Sequence, residues 1–210
     1  MNAARVEVGP GLWADGRRAV FVESAGALVV ADLHFGYELS QQSAGQLFPD
    51  WGRETVVERV EGLVRDWLPD RLVLLGDLVH SRAGWGPLTE WLGGLGMEVV
   101  AIRGNHDRGA PPELSLRDVW YLGGWRMYHG DRELDPAAGY RDMIGHWHPG
   151  VVLMDGAGLR CRIPALIVGE ERVVLPAFSP WAGGNSKSLP LQEGDRVWAL
   201  TPGAIAPWPR

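Results

Sequence analysis

Cysteine is almost missing from these 210 residues: Cys161 stands alone, so no internal disulfide can form. Lying in a strand-like stretch, it is expected to be a plain buried side chain. Lysine is as scarce: Lys187 is the only one among 20 basic residues, and the other 19 are arginine, the better bidentate partner for phosphate. No apolar run approaches the roughly 20 residues that span a bilayer, and Met1-Asn2-Ala3-Ala4-Arg5-Val6 lacks the apolar segment of a secretory leader. A cytoplasmic protein with no membrane partner is therefore expected. Positive charge is in deficit as well, and a net charge of −6 argues against a broad electrostatic footprint for nucleic acid. Repeats and low-complexity linkers are also missing. What remains, 46% hydrophobic and 22% charged, is the composition of a folded domain. The length suits a single domain over residues 1–210 that buries about 70% of the surface of its unfolded chain.

The apolar pattern changes character half-way along. Val20 to Val22, the unbroken run Ala27 to Ala31, Arg71 to Leu75 and Glu98 to Ile102 read as strands, the later three of the kind buried on both faces. Between them, Val56, Val57, Val60, Leu63, Val64 and Trp67 fall at helical spacing over 53–67, and Pro87 to Leu92 suggests a second, shorter helix. After Val119 the pattern becomes short strands with tight turns: 126–128, 151–154, 159–163, 165–168, 172–175 and 197–200. A parallel-type half followed by a mostly antiparallel half implies an α/β architecture of two sheets packed face to face with helices outside. Residues 37–52 have no clear period and are expected to form a loop over the site. Phe48 or Trp51 in it could stack on a base, although most of the 11 tryptophans should simply be packed. The turn Gly183-Gly184-Asn185-Ser186 points nowhere in particular.

Histidine is the informative residue. Five of the six lie in Asp32-Leu33-His34, Asn105-His106-Asp107, His129 and Gly145-His146-Trp147-His148, and the sixth, His80, follows Asp77 by three. Asp32 with His34, and His146 with His148, stand two apart, which in an extended segment aims both side chains to one side. Singly, each has an ordinary reading: Asp32 as a helix cap, Asn105 as a turn residue, His129 as a satisfied core histidine. Together, in Gly-flanked order at strand ends, they form a metal-ligand set. Nitrogen and oxygen donors without cysteine suit manganese, iron, cobalt, nickel or zinc. Two divalent ions against the carboxylates of Asp32 and Asp77 leave about two positive charges in excess, which favours an anionic phosphate ester.

These residues resemble the calcineurin-like metallophosphoesterases from Asp32 through His148. The resemblance implies a four-layer αββα sandwich. It also implies two ions, one held by Asp32, His34, Asp77 and His148, the other by Asp77, Asn105, His129 and His146, with manganese expected by analogy. Such ions would lower the pKa of a water between them and orient the hydroxide for in-line attack on phosphorus. His106 is then the residue to stabilise the transition state or protonate the leaving oxygen, while Asp107 anchors its loop. Phosphatases of the superfamily usually carry Asp three residues after the bridging Asp. His80 in that place is similar to the SbcD-type repair nucleases, although a plain hydrogen-bonding role is the alternative.

Gly76 to Ser81, Arg103 to Asp107, His148-Pro149 and Leu175-Pro176-Ala177-Phe178 resemble more closely the small SbcD-related phosphoesterases, which include ligase-associated DNA-damage-response endonucleases. That resemblance implies a nuclease-like phosphodiesterase of DNA repair acting on single-stranded or damaged DNA, with DNA-repair proteins as partners and a homodimer as a compatible assembly. Arg82, Arg103 and Arg108 are candidate phosphate contacts, each as readily an ordinary surface arginine. The full repair nucleases add a DNA-capping domain for which 210 residues leave no room, so a groove-wide grip on duplex is not expected. The alternatives are a phosphatase or phosphodiesterase of a small nucleotide, favoured by the acidic charge, and a non-catalytic scaffold of the same fold.

Overall fold

The computed structural model describes residues 3–154 and 156–209. Two sheets carry the fold. The first is built in chain order from β1 (Arg5–Gly9), β2 (Leu12–Asp15), β3 (Ala19–Val22) and β4 (Ala27–Ala31), then β5 (Arg71–Leu75) and β6 (Glu98–Ile102). The hairpins β1 to β4 are antiparallel, whereas β4, β5 and β6 run parallel and in step, so that Ala31, Leu75 and Ile102 end side by side. Parallel neighbours need long crossovers. These are supplied by α1 (Tyr37–Ser43) with α2 (Gly52–Trp67), and by α3 (Trp85–Gly94).

The second sheet comprises β7 (Trp120–Leu122), β8 (Trp125–Met127), β9 (Arg141–Ile144), β10 (Gly150–Met154), β11 (Arg160–Val168), β12 (Arg172–Val174), β13 (Arg196–Thr201) and β14 (Ala204–Trp208). Its order is β14-β13-β11-β12-β9-β8-β7, with β10 paired to the outer half of β11. Most pairs are antiparallel; β9 runs parallel to both β8 and β12.

Strand alternation sorts the side chains between layers. Ala27, Val29, Ala31, Val73 and Leu75 face Met127, Met143, Leu166, Val168 and Val173 across the space between the sheets. The intervening Leu28, Val30, Leu72 and Leu74 face the helices, meeting Val56, Val60 and Leu63 of α2 and Trp85, Leu88 and Leu92 of α3. Every one of these is essentially closed to water, which is why β4 and β5 read as unbroken apolar runs. Two packed mixed sheets with helices outside match the expected architecture. The helical cover is one-sided: Ile144, Ile167, Val174 and Val197 on the far face of the second sheet pack under Val119, Leu134 and Leu189 of connecting segments.

Three expectations need correcting, and five strands were not foreseen. Residues 37–52 are not all loop, since α1 occupies 37–43. The two strands expected around Pro164 are one strand, β11, in which the proline lies where pairing passes from β10 to β13 and its missing N–H costs nothing. β1, β2, β7, β9 and β14 carried no clear signal in the sequence. Cys161 is exposed, because it lies on the outer half of β11, which pairs with β10 and is itself exposed to water.

Candidate metal centre

Side chains at the carboxyl ends of strands from both sheets converge. Asp32 follows β4, Asp77 follows β5 and Asn105 follows β6, while His129 follows β8 and His146 and His148 follow β9. The pincers are not made as strand alternation would make them. Asp32, His34, Asp77, His146 and His148 all have positive φ, from 43° to 66°, a conformation that costs an L-residue about 1–2 kcal/mol. A left-handed residue turns the chain sharply at the strand end, and its neighbours hold it there. His34 N–H donates to Asp77 O at 2.9 Å, Asp32 N–H to Gly76 O at 3.2 Å, and Gly145 N–H to His129 O at 2.9 Å. Strain of this kind concentrates where function requires a particular aim. Two glycines make the approach possible: a Cβ on Gly76 would enter the His129 ring, and one on Gly104 would strike the backbone nitrogen of Asp77.

Two donor groups result, sharing Asp77. Asp32, His34, Asp77 and His148 offer one set, and Asp77, His129 and His146 the other; within each, the donor atoms lie within 4.8 Å of one another. In the first, His34 Nε2 stands 3.5 Å from His148 Nε2 and 3.8 Å from Asp77 Oδ2, and His148 Nε2 is 3.3 Å from Asp32 Oδ1. In the second, His129 Nε2 is 3.2 Å from His146 Nδ1, 3.4 Å from Asp77 Oδ1 and 3.1 Å from Asn105 Oδ1. His129 Nδ1 faces Leu75 O at 3.1 Å. A proton on Nδ1 directed at that carbonyl leaves the Nε2 lone pair for the cluster, the arrangement typical of metal-binding histidines.

Protonation tells the same story. Burial drives His34 down to about 4 against the pull of Asp32 and Asp77, and it lowers His146 too. Burial would also lower His129, but Asp77 and Asp32 outweigh it and hold the ring up to about 9. Asp77, pushed up by burial, is drawn down to about 2 by His129 and the His106 N–H. His34 and His146 are thus held neutral, while Asp77 and Asp32 draw a proton onto His129; a place that attracts positive charge this strongly fits a pair of divalent cations, one of which would replace that proton on Nε2. His34 Nδ1 is buried without a hydrogen-bond partner.

The calcineurin-like phosphoesterase family model matches residues 27–188. The chain belongs to that family. Among solved structures it is similar to a nuclease MPE of Pseudomonas putida, at 28% identity over 99% of this chain and 100% of that one, with a TM-score of 0.72. It also matches Yfce, a phosphoesterase from E. coli, at 20% identity over 82% and 86% of the two chains, with a TM-score of 0.41. No curated protein matches it. The family and the paired donor groups together indicate a two-metal phosphoesterase, a hydrolase of ester bonds.

Around the phosphoesterase centre lie two cavities. One, of about 210 Å³, is lined by His34, His148, His80 and His106 together with Tyr37 and Trp181. His106 is outside both donor groups; its backbone N–H donates to Asp77 Oδ1 at 2.9 Å and its ring lies 5.4 Å from that of His34. His80 stacks near it, with centroids 5.9 Å apart, and burial and His106 hold its pKa below the usual histidine range. Asp107 ties two loops together, accepting from Leu78 N–H and Gly104 N–H at 2.8 Å each, and burial raises its pKa to about 6.

The second cavity, of about 330 Å³, opens beside Asn105 and His129 and contains Arg103, Arg108 and Arg132. Arg103 is half exposed and pairs with Asp118 at 3.4 Å. Arg82 is not brought there; its guanidinium covers Gly109. Sequence reasoning passed over Arg132, Tyr37 and Trp181. Trp181 reaches the centre because Leu175-Pro176-Ala177-Phe178 leaves the second sheet and joins the first: Ala177 pairs with Ala31, and Phe178 N–H donates to Ala31 O at 2.8 Å. The Leu-Pro-Ala-Phe motif was the available signal; the tryptophan beyond it was one among 11.

Proposed function

We propose that the chain is a two-metal phosphodiesterase of nucleic acid, acting on single-stranded or damaged DNA. Asp32, His34, Asp77 and His148 would hold one ion and Asp77, Asn105, His129 and His146 the other, with manganese the expected metal. When bound, the ions would neutralise the phosphate and make water acidic enough to attack at neutral pH. Asp77 holds the two groups together, and the strained turns at Asp32, His34, His146 and His148 fix their aim. His106, on the rim, holds a proton for the ester oxygen that departs. His80 stays neutral beside it, so that a diester with a single negative charge meets a histidine pair where a second carboxylate would repel it. A cytoplasmic setting in DNA repair, with repair proteins as partners, belongs to the same proposal.

One observation carries the reading: Asp77 sits in both donor groups, while His80 and His106 line a cavity beside them and belong to neither. The similarity to a nuclease over the whole of both chains supports nucleic acid as substrate. The test is a panel of bis-aryl phosphodiester, aryl phosphomonoester, cyclic nucleotide and single-stranded DNA, given to protein of measured metal content. Manganese should activate diester and DNA cleavage, and a chelator should abolish both. Hydrolysis of cyclic nucleotide with no oligonucleotide cleavage would favour the small-nucleotide enzyme. Folded protein with two metals and no turnover of any ester would favour the scaffold.

A further inference from the structure

The 210 Å³ cavity beside the centre has one wall that metal and proton chemistry do not explain. Tyr37 and Trp181 form that wall, their ring centroids 6.2 Å apart and their planes at 28°. Phe48 and Trp51 back Trp181 at 4.6 and 4.2 Å. The wall meets the reacting groups directly, for the Tyr37 ring lies 4.5 Å from the His80 ring.

Trp181 is held in place from behind. Glu38, 1% exposed, accepts the indole N–H at 3.3 Å and also the backbone and side-chain N–H groups of Arg53 at 2.9 and 3.1 Å. Gly52, the first residue of α2, is closed against the indole, and a Cβ there would enter it. A buried carboxylate is expensive unless fully partnered. A tryptophan needed only as filler would require neither that anchor nor a side-chain-free contact, so the fixed orientation of the ring calls for a purpose. Apart from the histidines of the centre, the lining contains no charged side chain among the described residues; the ring wall suits a flat, uncharged group, with the substrate's charge left to the phosphate beside the histidines.

We infer that Tyr37 and Trp181 are a stacking shelf for one planar ring of the diester, a nucleobase next to the scissile phosphate, and that this shelf selects unpaired strands. The cavity is below the roughly 300 Å³ of ordinary ligand pockets and admits one ring system, so a paired and stacked base must first be freed to enter. The inference rests on the nucleic-acid reading above and makes Trp181 a specificity-determining residue.

Single-stranded oligonucleotides carrying one abasic residue, walked across the cleavage position, test it. Wild-type protein should lose on the order of tenfold or more in kcat/KM, mainly through KM, when the gap falls next to the broken bond. Trp181→Ala should be insensitive to where the gap lies, while Trp181→Phe should restore the positional loss. Both variants must bind two metals and melt as the wild type does. An undiminished positional loss in Trp181→Ala overturns the shelf. If wild-type protein cleaves no oligonucleotide, the nuclease reading fails separately. The shelf is then judged on bis-aryl against methyl aryl phosphodiester: a preference for the second ring that vanishes in Trp181→Ala and returns in Trp181→Phe upholds it, and a preference unchanged by Trp181→Ala overturns it.

Discussion

The two cavities beside the centre differ in nearly every property. The one lined by His34 and His148 carries aromatic rings and histidines, whereas the one lined by Asn105 and His129 carries Arg103, Arg108 and Arg132 with Asp118 and Asp131. One flank is walled by rings and anchored from behind by Glu38; the other is lined by charged side chains, Arg103 among them paired with Asp118. A phosphodiester in nucleic acid has the same two aspects, a ring that stacks and a backbone that carries charge. Under the proposed function, a nucleic-acid substrate would lie across the two donor groups, with its bases on one side and its flanking phosphates on the other.

The comparison is broken most thoroughly at the point both flanks share. Asp77→Ala should lose bound metal and bring activity on every ester below detection, read by metal analysis alongside turnover. His106→Ala acts on the aromatic flank alone: it should keep two metals yet lose on the order of 10² in kcat. Loss of both ions from that variant would show that His106 belongs to the metal set. His80→Ala should cost less than the roughly 10² of a proton-transfer residue, with cleavage of DNA suffering more than hydrolysis of an activated aryl diester. His80→Asp should shift kcat/KM from diesters towards monoesters, and unchanged ratios in both variants would reduce His80 to a structural residue. The arginine flank should give the mildest effects. Arg103→Ala and Arg108→Ala should each raise KM for oligonucleotides a few-fold and lower the slope of log binding constant against log salt by about 0.7, the value of one phosphate contact on a single strand. Neither should alter hydrolysis of a small aryl diester, and an equal fall on both substrates would place them in the chemistry.

The same contrast explains what could be read without coordinates. β4, β5, β6 and α2 were legible because their signal is burial, and burial writes itself as apolar runs and helical spacing. α1 was not, because the side chain it buries is Glu38, so the period of its apolar residues carries no information. β9 begins Arg141-Asp142, and Asp142 is spent on the buried Arg126 of β8 at 2.7 Å, which hides a strand behind charges. At the centre, all seven candidate donors and His106 lie around one place, as their order in the sequence suggested. The reason offered for the pincers differed from the observed one: left-handed turns at the strand ends, not extended alternation, aim the pairs. Trp181 could not be found, since what distinguishes it is a carboxylate 143 positions earlier.

The crossing at Leu175 to Phe178 bears on when the site of this protein is completed during its manufacture. β3 pairs with β4 only as far as Val29, and Ala177 takes up the vacant edge beside Ala31, with Arg18 donating to the carbonyls of Ala177 and Ser179 at 3.2 and 2.7 Å. The ribosome delivers Asp32, His34 and Asp77 early, but the segment that braces Asp32 arrives about 145 residues later (177 − 32). A nascent chain therefore carries half a set of metal donors with no finished cage around them. The brace on Asp32 is made only once the chain has been extended past β12, and a copy cut short before that point would lack it.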